Sequence, residues 1–221
     1  MESMTIQSLV DYARKYLESA IITGELSPGQ RIKEEEIASR LEISRPPLRQ
    51  AFEILIAEGL ITRKPRRGVF VSEITERDIW EIYTLKASLF ELATNLAIDS
   101  MTDEGIKKLE DVIQKMEDCV SREPADVTQY QSLNEDFHIN ILLDISGHKR
   151  LRKIMRNLDN QAKRLSYENL MSSKAYLMSS CEYHKLMFGA IKKKDKALSG
   201  KLCQEHIFRG MKRLLTRQLN M

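Results

Sequence analysis

Only three cysteines occur in 221 residues, Cys119, Cys181 and Cys203. Their odd number and wide spacing exclude a disulfide framework and a CxxC-type metal site, and they read as reduced packing residues. No apolar run approaches the roughly 18 residues needed to cross a bilayer. The opening Met1-Glu2-Ser3-Met4 has no basic segment leading into an apolar core of the kind that directs secretion. A cytoplasmic chain without membrane attachment is expected. A strong excess of one charge sign is also missing: 35 Lys and Arg face 32 Asp and Glu, a net charge of +3. Nucleic-acid binding would therefore have to come from local clustering of charge. There is no internal repeat or low-complexity stretch, and beyond Val71 no segment alternates as a strand does.

What is present suffices for one large core or two smaller ones, with 42% hydrophobic and 30% charged residues. Two domains are expected, residues 1–73 and 74–221. In the first, Leu9, Val10, Ala13, Leu17, Ala20 and Ile21 recur at helical spacing up to Thr23-Gly24. A turn at Leu26-Ser27-Pro28-Gly29 precedes a short helix from Glu34 to Leu41. A third helix starts at the N-cap Ser44, carries Pro46 and Pro47 in its first turn, buries Leu48, Ala51, Phe52 and Leu55, and closes at Gly59. Two β-prone runs, 60–63 and 69–71, flank Lys64-Pro65-Arg66-Arg67-Gly68. Three helices and a hairpin make the winged helix-turn-helix plan. The remainder reads as an all-helical antiparallel bundle with helices at 76–99, 103–121, 125–145, 149–171, 173–192 and 195–219. The fold class is thus mainly α.

Charge clusters in the first domain. Arg45 and Arg49 stand one turn apart on the polar face of the third helix, where they can meet phosphate or the guanine edge in the major groove. From Arg45 to Gly68 six basic residues face two acidic ones, Glu53 and Glu58. Gly68 lets the hairpin backbone approach a phosphate. A pair of arginines alone would read as a solvated face; helix, hairpin and cluster together read as a DNA-binding surface.

The run Ser44-Arg45-Pro46-Pro47-Leu48-Arg49-Gln50-Ala51, then Glu58-Gly59-Leu60 and Arg66-Arg67-Gly68-Val69-Phe70-Val71, resembles the winged-helix domain of the GntR family of transcription regulators. The resemblance implies operator contacts from Ser44, Arg45 and Arg49, and a wing following the minor groove or backbone through Arg66, Arg67 and Gly68. Pro46 stands where a hydroxyl residue is frequent in that family, and Gln50 where Glu is usual. Glu34, Glu35 and Glu36 are expected to repel phosphate and to contribute nothing. A homodimer on double-stranded operator DNA, acting as a repressor, is the implied arrangement.

All four histidines lie in the second domain: His138, His148, His184 and His206. Asn134, His138, Ile141 and Ile145 are expected to share one inward face. His184 falls on the stripe Leu177, Cys181, Phe188 and Ile191, and His206 follows Leu202 and Cys203. His148, after Gly147, reads as exposed or capping. Each imidazole alone reads as a hydrogen-bonded core residue, whereas three together suit a borderline divalent metal. Asn134-Glu135-Asp136-Phe137-His138, Ser146-Gly147, His184 and His206 resemble the FCD ligand-binding domain of the FadR-like branch. That resemblance implies a divalent metal held by Asn134, His138, His184 and His206, with Asn134 in a position that carries Asp in many FCD domains. Zinc is the expected ion, with nickel, manganese or iron as alternatives. A neutral ligand set leaves the ion its full charge, which favours a small organic acid as effector. Lys86, on the face of Ile79, Ile82, Phe90 and Ala93, and Tyr83 one turn earlier are the expected effector-binding pair, unless Lys86 pairs with a buried acid. Two other readings stay open: a metal-dependent hydrolase, and a regulator whose metal site is structural or absent.

Overall fold

Val10, Ala13, Leu17, Ala20 and Ile21 are all buried along one side of α1 (Ile6–Ile22), as their spacing requires of an amphipathic helix. The computed structural model describes residues 6–218, and the chain divides into two compact units, Met1–Thr75 and Glu76–Met221. In the first unit α1 packs on α3 (Arg45–Ala57), whose Leu48, Ala51, Phe52 and Leu55 close the core, with α2 (Glu34–Arg40) alongside. Strands β2 (Ile61–Lys64) and β3 (Gly68–Val71) form the expected hairpin, pairing Ile61 with Val71 and Lys64 with Gly68. A third strand, β1 (Arg31–Ile32), pairs antiparallel with β3, so the sheet order is β1-β3-β2. Two residues are too few to carry a legible alternation, and this strand escaped the sequence reading.

Ser44 sits at the N-cap of α3 but its side chain makes no capping hydrogen bond. The reason is local. An N-cap oxygen accepts from the N–H of the second or third helical residue, and here those are Pro46 and Pro47, which have none. The Ser44 hydroxyl is therefore left exposed beside Arg45.

The second unit comprises α4 (Glu76–Asp99), α5 (Asp103–Ser121), α6 (Val127–Glu135), a π-helical segment (Asp136–Leu142), α7 (Leu143–Ile145), α8 (Lys149–Met171), α9 (Lys174–Lys192) and α10 (Lys196–Gln218). The long α4 packs along α10 and against α8, while α5 packs on α9 and α6. Helix starts are capped by side chains: Thr102, Asp126, His148 and Ser173 each accept a backbone N–H. His148 is both exposed and capping, its Nδ1 accepting from the Leu151 N–H at 3.1 Å. The π-helical segment changes the expected inward face. Its wider winding turns Ile139, Leu142 and Leu143 into the core and leaves Ile141 and Ile145 only partly covered. On α9, Met187 is buried and Phe188 is partly exposed, a shift of one residue from the expected stripe.

Lys86 is buried on α4, and its Nζ donates to Asp159 Oδ1 on α8 at 2.7 Å. Of the two roles open to an inward lysine, pairing with a buried acid is thus realised. Losing one partner would leave the other charge unpaired in the interior. Lys86→Met is expected to lower unfolding free energy by about 3–5 kcal/mol, read from the denaturant midpoint, and Lys86→Met with Asp159→Leu should recover most of it. Equal loss in the single and double variants would show that the two residues are not energetically coupled.

Candidate functional site

The π-helical segment, α9 and α10 bring His138, His184 and His206 together, with one nitrogen from each lying within 4.8 Å of the others. The ring centroids of His184 and His206 are 4.6 Å apart and those of His138 and His206 are 5.8 Å apart. Phe90 and Phe137 pack against the rings and make the surroundings apolar. His184 Nδ1 lies 2.8 Å from the Ser180 carbonyl, which can only accept, so Nδ1 carries the proton and Nε2 presents its lone pair. That lone pair faces His138 Nε2 at 3.0 Å. Two nitrogens on one zinc, each about 2.0–2.1 Å from it at angles of 90–110°, stand about 2.9–3.4 Å apart. The spacing fits a shared metal.

Electrostatics agree with that fit. Burial holds His184 down to about 4 and pushes His138 and His206 well below the ordinary histidine range, aided by the neighbouring imidazoles and by Lys86. All three rings are therefore neutral near pH 7, the form that binds metal. The cysteines are not competing ligands, because burial pushes the Cys181 thiol up to about 11 and that of Cys203 up to about 12.

Beside the rings lies a cavity of about 40 Å³ whose walls include His138, His206, Asn134, Lys86, Tyr83 and Asp159. At about 10–15 Å³ per water it holds roughly three waters, a space for a metal's open coordination positions or a very small ligand. Five of the six predicted effector and metal residues share it. His184 supports the cluster from α9 and is absent from the cavity wall. Among the described residues two buried polar atoms of the wall residues lack a partner, His138 Nδ1 and Asn169 Oδ1. Such atoms cost free energy unless a ligand, ion or water meets them. Asp159 and Asn169 were missed by sequence reasoning. Both stand on α8, whose apolar stripe carried no signal that these polar residues, like Lys163 and Arg164, are buried.

In the first unit Ser44, Arg45, Arg49, Arg66 and Arg67 are all exposed. The hairpin turn is closed by the Arg67 N–H donating to the Lys64 carbonyl, with Arg66 at φ 59° and Gly68 at φ 103°. Glycine is needed at the latter position, where a Cβ would also come within 3.3 Å of the Arg31 guanidinium. Arg31 on β1 thus adds an unforeseen cation to the wing. The acids of α2 also have a role the sequence did not disclose: Arg49 Nε donates to both carboxylate oxygens of Glu34 at 3.0 Å, and Arg45 Nη2 donates to Glu35 Oε1 at 2.9 Å. Signals for these pairs were invisible because the partners lie ten and fifteen residues apart.

The hydrolase alternative requires a general base at the rings. Glu135 instead pairs with Lys163 at 3.1 Å, and Asp136 accepts from Asn140 at 2.8 Å.

Residues 9–71 match the gntR family of bacterial regulatory proteins, and residues 81–209 match the FCD domain. The chain is 29% identical to the uncharacterized HTH-type transcriptional regulator YdhC of Bacillus subtilis, covering 81% of this chain and 79% of that protein. It is 30% identical to the gluconate operon transcriptional repressor of Bacillus subtilis, covering 82% and 75%. Its fold is that of Escherichia coli McbR/YncC, with a TM-score of 0.82 at 22% identity over 95% of this chain and 98% of that one. Arginines on an exposed recognition helix, a basic wing and an FCD-matched helical bundle identify the chain as a member of the GntR family of bacterial regulatory proteins, a DNA-binding transcription regulator with a C-terminal FCD domain and not an enzyme.

Proposed function

We propose that this regulator is a cytoplasmic homodimeric repressor whose operator affinity is set by a small carboxylate bound at a divalent metal in the FCD domain. The observation that carries the proposal is the convergence of three neutral imidazoles on one point beside a polar cavity. His138, His184 and His206 would hold the metal, with the Asn134 amide oxygen as the fourth protein ligand; zinc suits this set. Bound there, the metal supplies an open coordination position and an uncompensated positive charge. The chain's own residues do the selecting. Lys86 has three N–H donors and gives one to Asp159, so it can meet a carboxylate without leaving its partner. Tyr83, whose phenol burial keeps protonated, adds a second donor to the same wall.

A small effector can bias the regulator only by its differential affinity for two states of the protein. A dimer on two half-sites is supported by the few base contacts one recognition helix makes. Further support comes from exposed Leu85 and Leu92, two turns apart on α4. Repression is supported by the relative that represses a gluconate operon. On the DNA side, Arg45 and Arg49 would read bases while Ser44, Arg66, Arg67 and the Gly68 backbone hold phosphates. The second reading, a polar histidine network without metal, is favoured by the direct 3.0 Å approach of His138 to His184.

Elemental analysis of tag-free protein is expected to find about one divalent metal per chain, lost in His184→Ala. Absence of metal after incubation with zinc, nickel and manganese would leave the polar-network reading. With metal bound, a thermal-shift screen should select small carboxylates, and hits confined to uncharged compounds would sink the proposed effector class.

Burial of the imidazoles also fixes a pH dependence. In metal-stripped protein the folded His184 protonates only near pH 4, the unfolded one near 6.5. The unfolded state therefore binds the extra proton between those values, and stability falls as pH drops from about 6.5 to about 4. That loss should be larger in wild type than in His184→Gln. Parallel pH profiles for the two proteins would show that the ring is not buried in its neutral form.

Arg49→Ala should weaken binding to duplexes selected by the wild type about ten- to a hundredfold with an unchanged melting temperature. Equal affinity in a gel shift would mean that the reading face is elsewhere.

A further inference from the structure

The acids of α2 contact the two recognition arginines in different ways. Glu34 engages Arg49 through Nε, with both carboxylate oxygens at 3.0 Å. The two terminal nitrogens of that guanidinium, the fork that makes a bidentate pair with guanine O6 and N7, are not the atoms Glu34 uses. Glu35 engages Arg45 through Nη2, one prong of the fork itself. The first contact can persist while the arginine reads a base; the second must break. Exposure follows the same division, with the Glu34 side chain 28% exposed and that of Glu35 84% exposed. Glu34 is held against the protein surface, whereas Glu35 projects into solvent.

We propose that Glu34 is a specificity-determining residue: it holds the Arg49 guanidinium by its inner edge and presents the outer fork to a guanine in the operator. The inference rests on Arg49 facing the major groove and assigns to Glu34 a function opposite to simple repulsion of DNA. A guanidinium with no fixed partner on Nε is free to swing to the nearest phosphate, which gives affinity without sequence information. A carboxylate beside it disfavours that alternative by repelling phosphate and by fixing the plane of the fork. Glu35 lacks this geometry. It acts as a competitor that DNA displaces from Arg45, lowering affinity for all sequences alike.

Glu34→Gln and Glu35→Gln remove the same charge from neighbouring positions, so comparing them cancels the general electrostatic gain. Full-length protein would be used to select bound duplexes from a library with a randomised 20-base-pair segment. Affinities for the wild-type consensus duplex and for a scrambled duplex would then be measured by fluorescence anisotropy over a range of salt, with melting temperatures as the folding control. Glu34→Gln is expected to reduce the ratio of consensus to scrambled affinity roughly five- to tenfold, within the range of one lost bidentate base contact. The preference at one guanine should be flattened, and affinity for the scrambled duplex should hold or rise. Glu35→Gln is expected to raise both affinities with the ratio unchanged. If Glu34→Gln also raises both and keeps the ratio, Glu34 is only a second competitor and the proposal is wrong. If Arg49→Ala leaves the selected consensus unchanged, the underlying placement of Arg49 fails instead, which is a separate result.

Discussion

The buried pair of Lys86 and Asp159 sets the terms on which the bundle is built. A charge in the interior is tolerated only with a partner at hydrogen-bond distance, and this pair bridges α4 and α8 beside the histidine rings. With the lysine satisfied, its positive charge does not have to be met by a histidine or a distant acid. The imidazoles can then be buried neutral, the form that burial favours for all three. The Ser180 carbonyl adds the second condition by fixing which nitrogen of His184 carries a proton. Two hydrogen bonds thus turn a group of polar residues that would each be costly to bury into a site with outward-facing lone pairs. Two of the buried atoms still lacking partners among the described residues, His138 Nδ1 and Asn169 Oδ1, belong to residues of the cavity wall.

The first unit obeys the reverse rule. Arg45, Arg49 and Arg63 remain exposed, and their carboxylate partners are on the surface as well, so water and salt screen each pair. Such pairs cost little to exchange for phosphate or a base edge. Local covalent chemistry does the positioning instead: Pro46 and Pro47 deprive Ser44 of a capping partner, and Gly68 at φ 103° lets the Arg31 side chain lie close over the wing.

Much of this was legible from periodicity. Four of the helices in the second unit, α4, α5, α8 and α9, start and stop within one residue of the positions that caps and apolar spacing indicate, because Thr102, His148 and Ser173 accept backbone N–H groups there. The structure also brings together the three histidines that the sequence reading grouped, although the face expected around His138 is altered by the π-helical winding. Three features were not legible, each for its own reason. β1 is too short to alternate. The π-helical segment has no compositional signature, and its wider winding exchanges Ile141 and Ile145 for Ile139, Leu142 and Leu143 in the core. Asp159 and Glu34 act through partners 73 and 15 residues away, and a single sequence has no means of stating such pairings.

The contrast between the two units bears on where regulation can reside. A screened surface contact responds gradually, because an arginine can exchange one acceptor for another without leaving water. A buried pair responds in steps, because removing one partner costs about 3–5 kcal/mol unless something of equal charge and reach replaces it. Only a ligand that supplies an anion at Lys86, or a cation at the imidazoles, could occupy the proposed sensing site without incurring that penalty. A cavity of about 40 Å³ admits few such ligands. Under the proposed function, selectivity for effector would follow from the same burial that makes the site possible, and the DNA face, which carries no comparable constraint, would be left free to bind or release at moderate cost.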